Sequence, residues 1–202
     1  ALMAPNLPQF PVVFHGVATA AATLATINPT YGAAEVRHQL QDAGATMLFV
    51  VPMFLDVARE AVEGTDVAEI VVMGDAAEGT PAMADVFGEA IEQVPVDLDT
   101  HIVVLPYSSG TTGQPKGVFI PPQTDDVTQP HALAPACGAA CGFGPETVYL
   151  SPAPLYHAAP LHYNMMSLYL GGTSVIMEHF DAERSLALIE AHRATHSQWV
   201  PI

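Results

Sequence analysis

Short apolar runs alternate with amphipathic stretches along most of the chain. The opening ALMAPN reads as the end of a buried strand, and Pro8 stands near the start of an apolar stretch running to about residue 25. Proline is accepted in a first helical turn, where a missing N–H costs no hydrogen bond, so this stretch is predicted to be helical. Asn28-Pro29 breaks it. Apolar spacing then predicts a helix over 33–43 stopped by Gly44, a buried strand over 46–51, a helix over 54–63 and a strand over 69–73. Residues 74–100 are acidic and contain Gly and Pro; they read as loop with a short helix near 82–90. Strand character returns at 101–106, whereas the proline-rich stretch 119–145 gives no regular pattern. Regular structure resumes at 147–150, followed by a helix over 161–170, a strand over 173–177, a helix over 181–192 and a strand over 197–201. Asp181 is the expected N-cap of that last helix, with Arg184 where a capping box would need Glu or Gln. This alternation predicts an α/β fold on a layered parallel sheet. The first strand has no earlier element to support it and the last lacks its neighbours, so the domain is expected to be incomplete at both ends.

At 202 residues and 50% hydrophobic, the chain can bury a core, which argues against global disorder. Its 21 Asp and Glu against 5 Lys and Arg give a formal net charge of −16. Non-specific binding to nucleic acid or anionic membrane needs clustered cations, and Arg37, Arg59, Lys116, Arg184 and Arg193 are scattered, which argues against both. Cys137 and Cys141 are too few for a disulfide framework; in a helix they would share a face as small apolar residues. No charged segment precedes an apolar run, so no secretory leader is read. The longest apolar stretch, around 16–27, is interrupted by threonines and falls short of the ~20 residues of a membrane span. A cytoplasmic protein is the expectation.

Lys116 is the only lysine, and it lies in L-P-Y-S-S-G-T-T-G-Q-P-K-G-V at 105–118. Glycines let backbone N–H groups approach phosphate oxygens, hydroxyls add short donors, and lysine adds a mobile cation. The Walker A spacing fits from Gly110 to Lys116, but Pro115 replaces the second glycine and Gly117 the magnesium-holding Ser or Thr. Proline has no N–H to offer. This is a phosphate loop of another kind.

The order Y-S-S-G-T-T-G-x-P-K-G is similar to the signature of the adenylate-forming superfamily, which includes acyl-CoA synthetases, 4-coumarate–CoA ligases, luciferases and peptide-synthetase adenylation domains. N-L-P-Q-F-P-V-V-F-H-G-V (6–17), T-I-N-P-T-Y (26–31) and V-R-H-Q-L-Q-D-A-G-A (36–45) resemble the run before that loop in the CoA ligases. S-P-A-P-L-Y-H-A-A-P-L (151–161), L-G-G-T-S-V-I-M (170–177) and H-S-Q-W-V-P (196–201) resemble the region after the loop. The resemblance implies a reaction in which an acid's carboxylate attacks the α-phosphate of ATP, pyrophosphate leaves, and coenzyme A takes the acyl group from the adenylate. It implies that Ser108, Ser109, Gly110, Thr111, Thr112, Gly113, Lys116 and Gly117 bind the phosphates, with Lys116, Thr111 and Thr112 acting in catalysis. Thr111 or Thr112 would help hold magnesium, and Tyr156 and His157 would border the acyl pocket. The remaining histidines show no metal spacing.

The family's later motifs for adenine, ribose, hinge and C-terminal lid are not found, and Lys116 cannot double as the lid lysine. The resemblance therefore implies residues 1–202 as a partial N-terminal domain with the C-terminal lid absent, and no complete turnover by these residues alone. The first reading is an AMP-forming acyl-CoA ligase for a fatty or aryl acid. The others are an adenylation domain loading a carrier protein, and a truncated, non-catalytic protein that binds nucleotide or pairs with a partner.

Overall fold

In a computed structural model of the chain, the residues described are 1–89, 92, 94–96, 102–108, 115–119 and 133–199, with backbone alone at 133 and 137. β1 (Leu2–Met3) leads through α1 (Gln9–Thr19) to β2 (Leu24–Ile27), and α2 (Ala33–Asp42) connects to β3 (Met47–Val50). A 3-10 turn at Pro52–Phe54 opens α3 (Leu55–Ala61), which precedes β4 (Glu69–Val72). After a second such turn, Met83–Val86, comes β5 (Val104–Leu105). These strands form one parallel sheet in the order β4-β3-β1-β2-β5. Parallel neighbours need crossovers, and α1, α2 and α3 supply them.

β1 is central. Leu2 is in register with Thr26 and Phe49, and Met3 with Ile27 and Val50. Successive strand residues face opposite ways, so Leu2 joins one core with Phe10, Val13 and Leu24, and Met3 another with Ile27, Val36, Leu40 and Ala58. α1 thus packs into the first core, and α2 and α3 into the second. Burial on both faces is what makes β1 and β2 uniformly apolar or small.

A two-stranded antiparallel ribbon, β6 (Tyr107–Ser108) with β7 (Lys116–Gly117), comes after β5. Then come α4 (Leu133–Cys141), β8 (Val148–Ser151), α5 (Ala158–Tyr169), β9 (Thr173–Ile176), α6 (Ala182–His192) and β10 (His196–Ser197). A second parallel sheet has the order β10-β8-β9. Leu155, Leu161 and Met165 join the first core, so the segment after β8 and α5 pack against residues of the larger sheet. Asp181 caps α6 as expected: its Oδ1 accepts the Arg184 N–H at 2.6 Å.

The α/β class and the layered parallel sheets agree with the sequence reading. The differences are local. The stretch to residue 25 is a helix that ends at Thr19 and a separate strand, β2, because the chain turns at Ala21 with φ of 53°. Glycine normally marks such a turn, so alanine hid it. α4 lies inside the stretch expected to be irregular; its proline, Pro135, sits in the first turn. Likewise α5 begins at Ala158 rather than 161, with Pro160 in its first turn. The helix expected near 82–90 is only the 3-10 turn, and the last strand begins one residue earlier, at His196. Among the described residues no helix is long and apolar enough to cross a membrane.

Candidate active site

The ribbon β6–β7 closes the neck of the lysine loop. Tyr107 stands opposite Gly117 and Ser108 opposite Lys116. The Val118 N–H donates to the Pro106 carbonyl at 2.9 Å, and the Ser108 hydroxyl makes a long 3.4 Å contact with the Lys116 carbonyl. A Cβ at Gly117 would come within 3.0 Å of Leu105 Cδ1, which explains a glycine opposite Tyr107. Ser109, Gly110, Thr111, Thr112 and Gly113 lie outside the described residues.

Charge isolates Lys116. The Arg37 guanidinium donates to the carbonyls of Glu60 and Ala61 at the C-terminus of α3, where a cation suits the helix dipole. Arg59 donates to the Glu78 carbonyl. Among the described residues the one carboxylate–base contact within ion-pair distance is Glu178–His179 at 3.8 Å, charged on both sides only when the imidazole is protonated. Lys116 is exposed, and among the described residues its ammonium has no hydrogen-bond or ion-pair partner. An ammonium without a partner among the described residues, on the strand opposite the Ser108 hydroxyl, suits an incoming anion.

Tyr107 also belongs to a niche of about 40 Å³, whose far wall is Tyr156 and His157. Thr26 and Asn28, at the end of β2, and Tyr31 and Gln39 complete it. The loop and the Tyr-His pair are far apart in sequence, and the fold brings Tyr107, Tyr156 and His157 to one niche. The segment before α5 is pinned twice. Thr26 Oγ1 donates to the Tyr156 carbonyl at 2.9 Å, and buried Asn6 accepts the Leu155 N–H at 2.7 Å. Sequence reasoning assigns neither residue to a site; Asn6 and Thr26 lie inside quoted stretches, but nothing local marks their contacts 149 and 130 residues away.

His157 occupies the N-cap position of α5, with its ring 4.6 Å from that of Tyr156. One side is open to solvent, yet partial desolvation holds its pKa below the ordinary imidazole value. This favours the neutral imidazole. The unfolded chain takes up the proton first as pH falls below about 6.5, so stability is full above that value and is lost below it until the folded imidazole also titrates. His157→Gln should therefore show a smaller fall in melting temperature than the parent between about pH 7.5 and 5.5. Parallel melting curves for the two proteins would show that His157 carries no such shift.

Burial, and then the hydrogen bond to Asp42, raise the pKa of Tyr107 well above the ordinary phenol value, so it stays a donor. Gln39 Oε1 is buried with no hydrogen-bond partner. Among the described residues no three His, Cys, Asp or Glu side chains converge as a metal site.

Comparison with known proteins shows the family of the chain. A 4-coumarate–CoA ligase 5 of Oryza sativa subsp. japonica is 32% identical over 204 residues, matching 99% of this chain and 37% of its own length. A long-chain-fatty-acid-CoA ligase (FadD1) structure from Archaeoglobus fulgidus superposes with a TM-score of 0.83 at 28% identity, over 97% of this chain and 38% of that one. An apo structure of MbtA from Mycobacterium smegmatis gives 0.82 at 30% identity, over 97% and 37%. The chain therefore spans little more than a third of the length of these relatives. The AMP-binding enzyme family matches residues 1–202, and the chain belongs to that family.

Proposed function

We propose that the chain supplies the phosphate-binding part of an AMP-forming acid–thiol ligase. A carboxylate oxygen of a fatty or aryl acid attacks the α-phosphorus of ATP. The bond to the bridging oxygen breaks, pyrophosphate leaves, and an acyl-adenylate remains. The thiol of coenzyme A then attacks the acyl carbonyl and AMP departs. The single observation that carries this reading is the register of the ribbon. Ser108 faces Lys116 across the neck of a glycine–hydroxyl loop, and the ammonium there has no partner among the described residues.

Ser108 and Lys116, with Ser109, Gly110, Thr111, Thr112, Gly113 and Gly117, hold the β- and γ-phosphates in this reading. They lower the barrier by fixed donors and charge aimed at the leaving group, with no covalent step by the protein. Thr111 or Thr112 is the candidate contact to magnesium, which when bound withdraws charge from the phosphate oxygens. Neutral His157 and Tyr156 form a wall for the acyl group, where a charged imidazole would be costly beside apolar substrate. The ligase would work in the cytoplasm.

Residues 1–202 are expected to bind magnesium pyrophosphate in a calorimetric titration, and to show no carboxylate-dependent ATP–pyrophosphate exchange. Absence of any binding would overturn the phosphate role of the loop. Exchange catalysed by the isolated chain would overturn its incompetence.

A further inference from the structure

α2 ends on an acidic residue, Asp42. A carboxylate is the wrong sign for that end, because the helix dipole places partial negative charge there. No arginine or lysine neutralises it among the described residues. What meets it is the phenol of Tyr107, which donates to Asp42 Oδ2 at 2.7 Å across 65 residues of sequence. One turn earlier on the same helix, Gln39 lines the niche that Tyr107 also lines. α2 thus turns both residues toward the stem of the lysine loop.

That stem needs an external anchor. β6 and β7 have two residues each, far too few for a ribbon to hold itself in water. Its register decides where Ser108 and Lys116 stand relative to one another. Leu105 against Gly117 supports one side, and the Tyr107–Asp42 bond ties the other to a helix of the main sheet.

We propose that Asp42 is a positioning residue: through Tyr107 it fixes the ribbon that presents Ser108 and Lys116 to the phosphates of a nucleotide. The inference rests on the phosphate reading given above, and adds to it a residue that touches no substrate.

Electrostatics and positioning predict opposite outcomes for Asp42→Asn. Removing a carboxylate from the neighbourhood of a polyanion should by charge alone tighten binding. A positioning role predicts weaker binding despite the lost negative charge. Tyr107→Phe removes the same hydrogen bond with no change of charge. Both variants are made in the 202-residue chain and titrated with magnesium pyrophosphate. Each should weaken binding about tenfold, the double variant should be no weaker than either single, and Asp42→Glu should recover part of the loss. Exchange of the Val118 amide, whose bond to Pro106 closes the ribbon, should quicken about tenfold in both variants, with the Leu48 and Val50 amides unchanged. Asp42 is exposed at a helix end, so its variants should keep the melting temperature of the parent.

Unchanged or tighter binding by Asp42→Asn overturns the proposal while leaving the phosphate reading intact. So does unchanged exchange at Val118, a measurement that needs no nucleotide. If the parent chain itself binds no pyrophosphate, the phosphate reading falls and takes the positioning role with it.

Discussion

On the proposed ligase reading, Lys116→Ala in the full-length protein should slow acyl-adenylate formation by about 10²- to 10³-fold, the usual cost of removing one preorganised group from a developing anion. Binding of the acid should hardly change. The chain's net charge of −16 opposes any polyphosphate at long range, yet distance decides. A charge pair at ~4 Å in an effective dielectric of ~20 is worth about 4 kcal/mol. Exposed carboxylates beyond ~8 Å are largely screened at physiological salt. Two of the other cations are engaged elsewhere. Arg37 and Arg59 are held by carbonyls of Glu60, Ala61 and Glu78, and Lys116 is the only lysine. Lys116→Arg keeps the charge but brings a wider planar fork into a ribbon neck, and should recover only part of the rate. Rapid-quench single turnover with labelled ATP reads the step directly. Equal rates for Lys116→Ala and the parent would remove the ammonium from the mechanism.

The same contrast between local and distant determinants explains what could be read from the chain. β3, β4 and β9 are legible because each is a short branched or apolar run beside a turn signal, such as Gly44 with φ of 57° or Gly171 with φ of 81°. β2 is not, because Ala21 makes the turn without a glycine to announce it. α4 is hidden by prolines, although Pro135 falls where a helix tolerates one. The family is legible from the order of residues in the lysine loop. The supports of that loop are not. Asp42 looks like an ordinary polar helix end, and Thr26 an ordinary strand residue. Their partners Tyr107 and Tyr156 lie 65 and 130 residues away, and no local periodicity encodes such pairings.

Asn6 is the most consequential of these hidden contacts, and Asn6→Leu should be among the most destabilising single substitutions. Its side chain is 4% exposed. Its NH₂ donates to the carbonyls of Ala153 at 2.8 Å and Met177 at 3.0 Å, and its Oδ1 accepts the Leu155 N–H at 2.7 Å. These partners come after β8 and β9, whereas Asn6 comes after β1, so one amide joins the exits of strands from both sheets. Leucine shares the branching and heavy-atom count of asparagine but leaves these backbone groups without their partner. At roughly 1–3 kcal/mol for each of the three orphaned groups, the loss is about 3–9 kcal/mol. A domain is stable by only about 5–15 kcal/mol, so much of the total would go. Asn6→Asp should be no milder: it can still accept from Leu155 but sets a carboxylate against carbonyl oxygens. Urea titration monitored by the single tryptophan, Trp199, measures the loss, and a shift under about 1 kcal/mol would mean that these contacts do not hold the sheets together. The expected loss also reaches the site, because Leu155 leads directly into Tyr156 and His157. Freed from Asn6, that segment keeps the Thr26 bond to the Tyr156 carbonyl and the local bond from the His157 N–H to the Pro154 carbonyl, so in any Asn6 variant that still folds the niche wall should loosen while the lysine ribbon keeps its register.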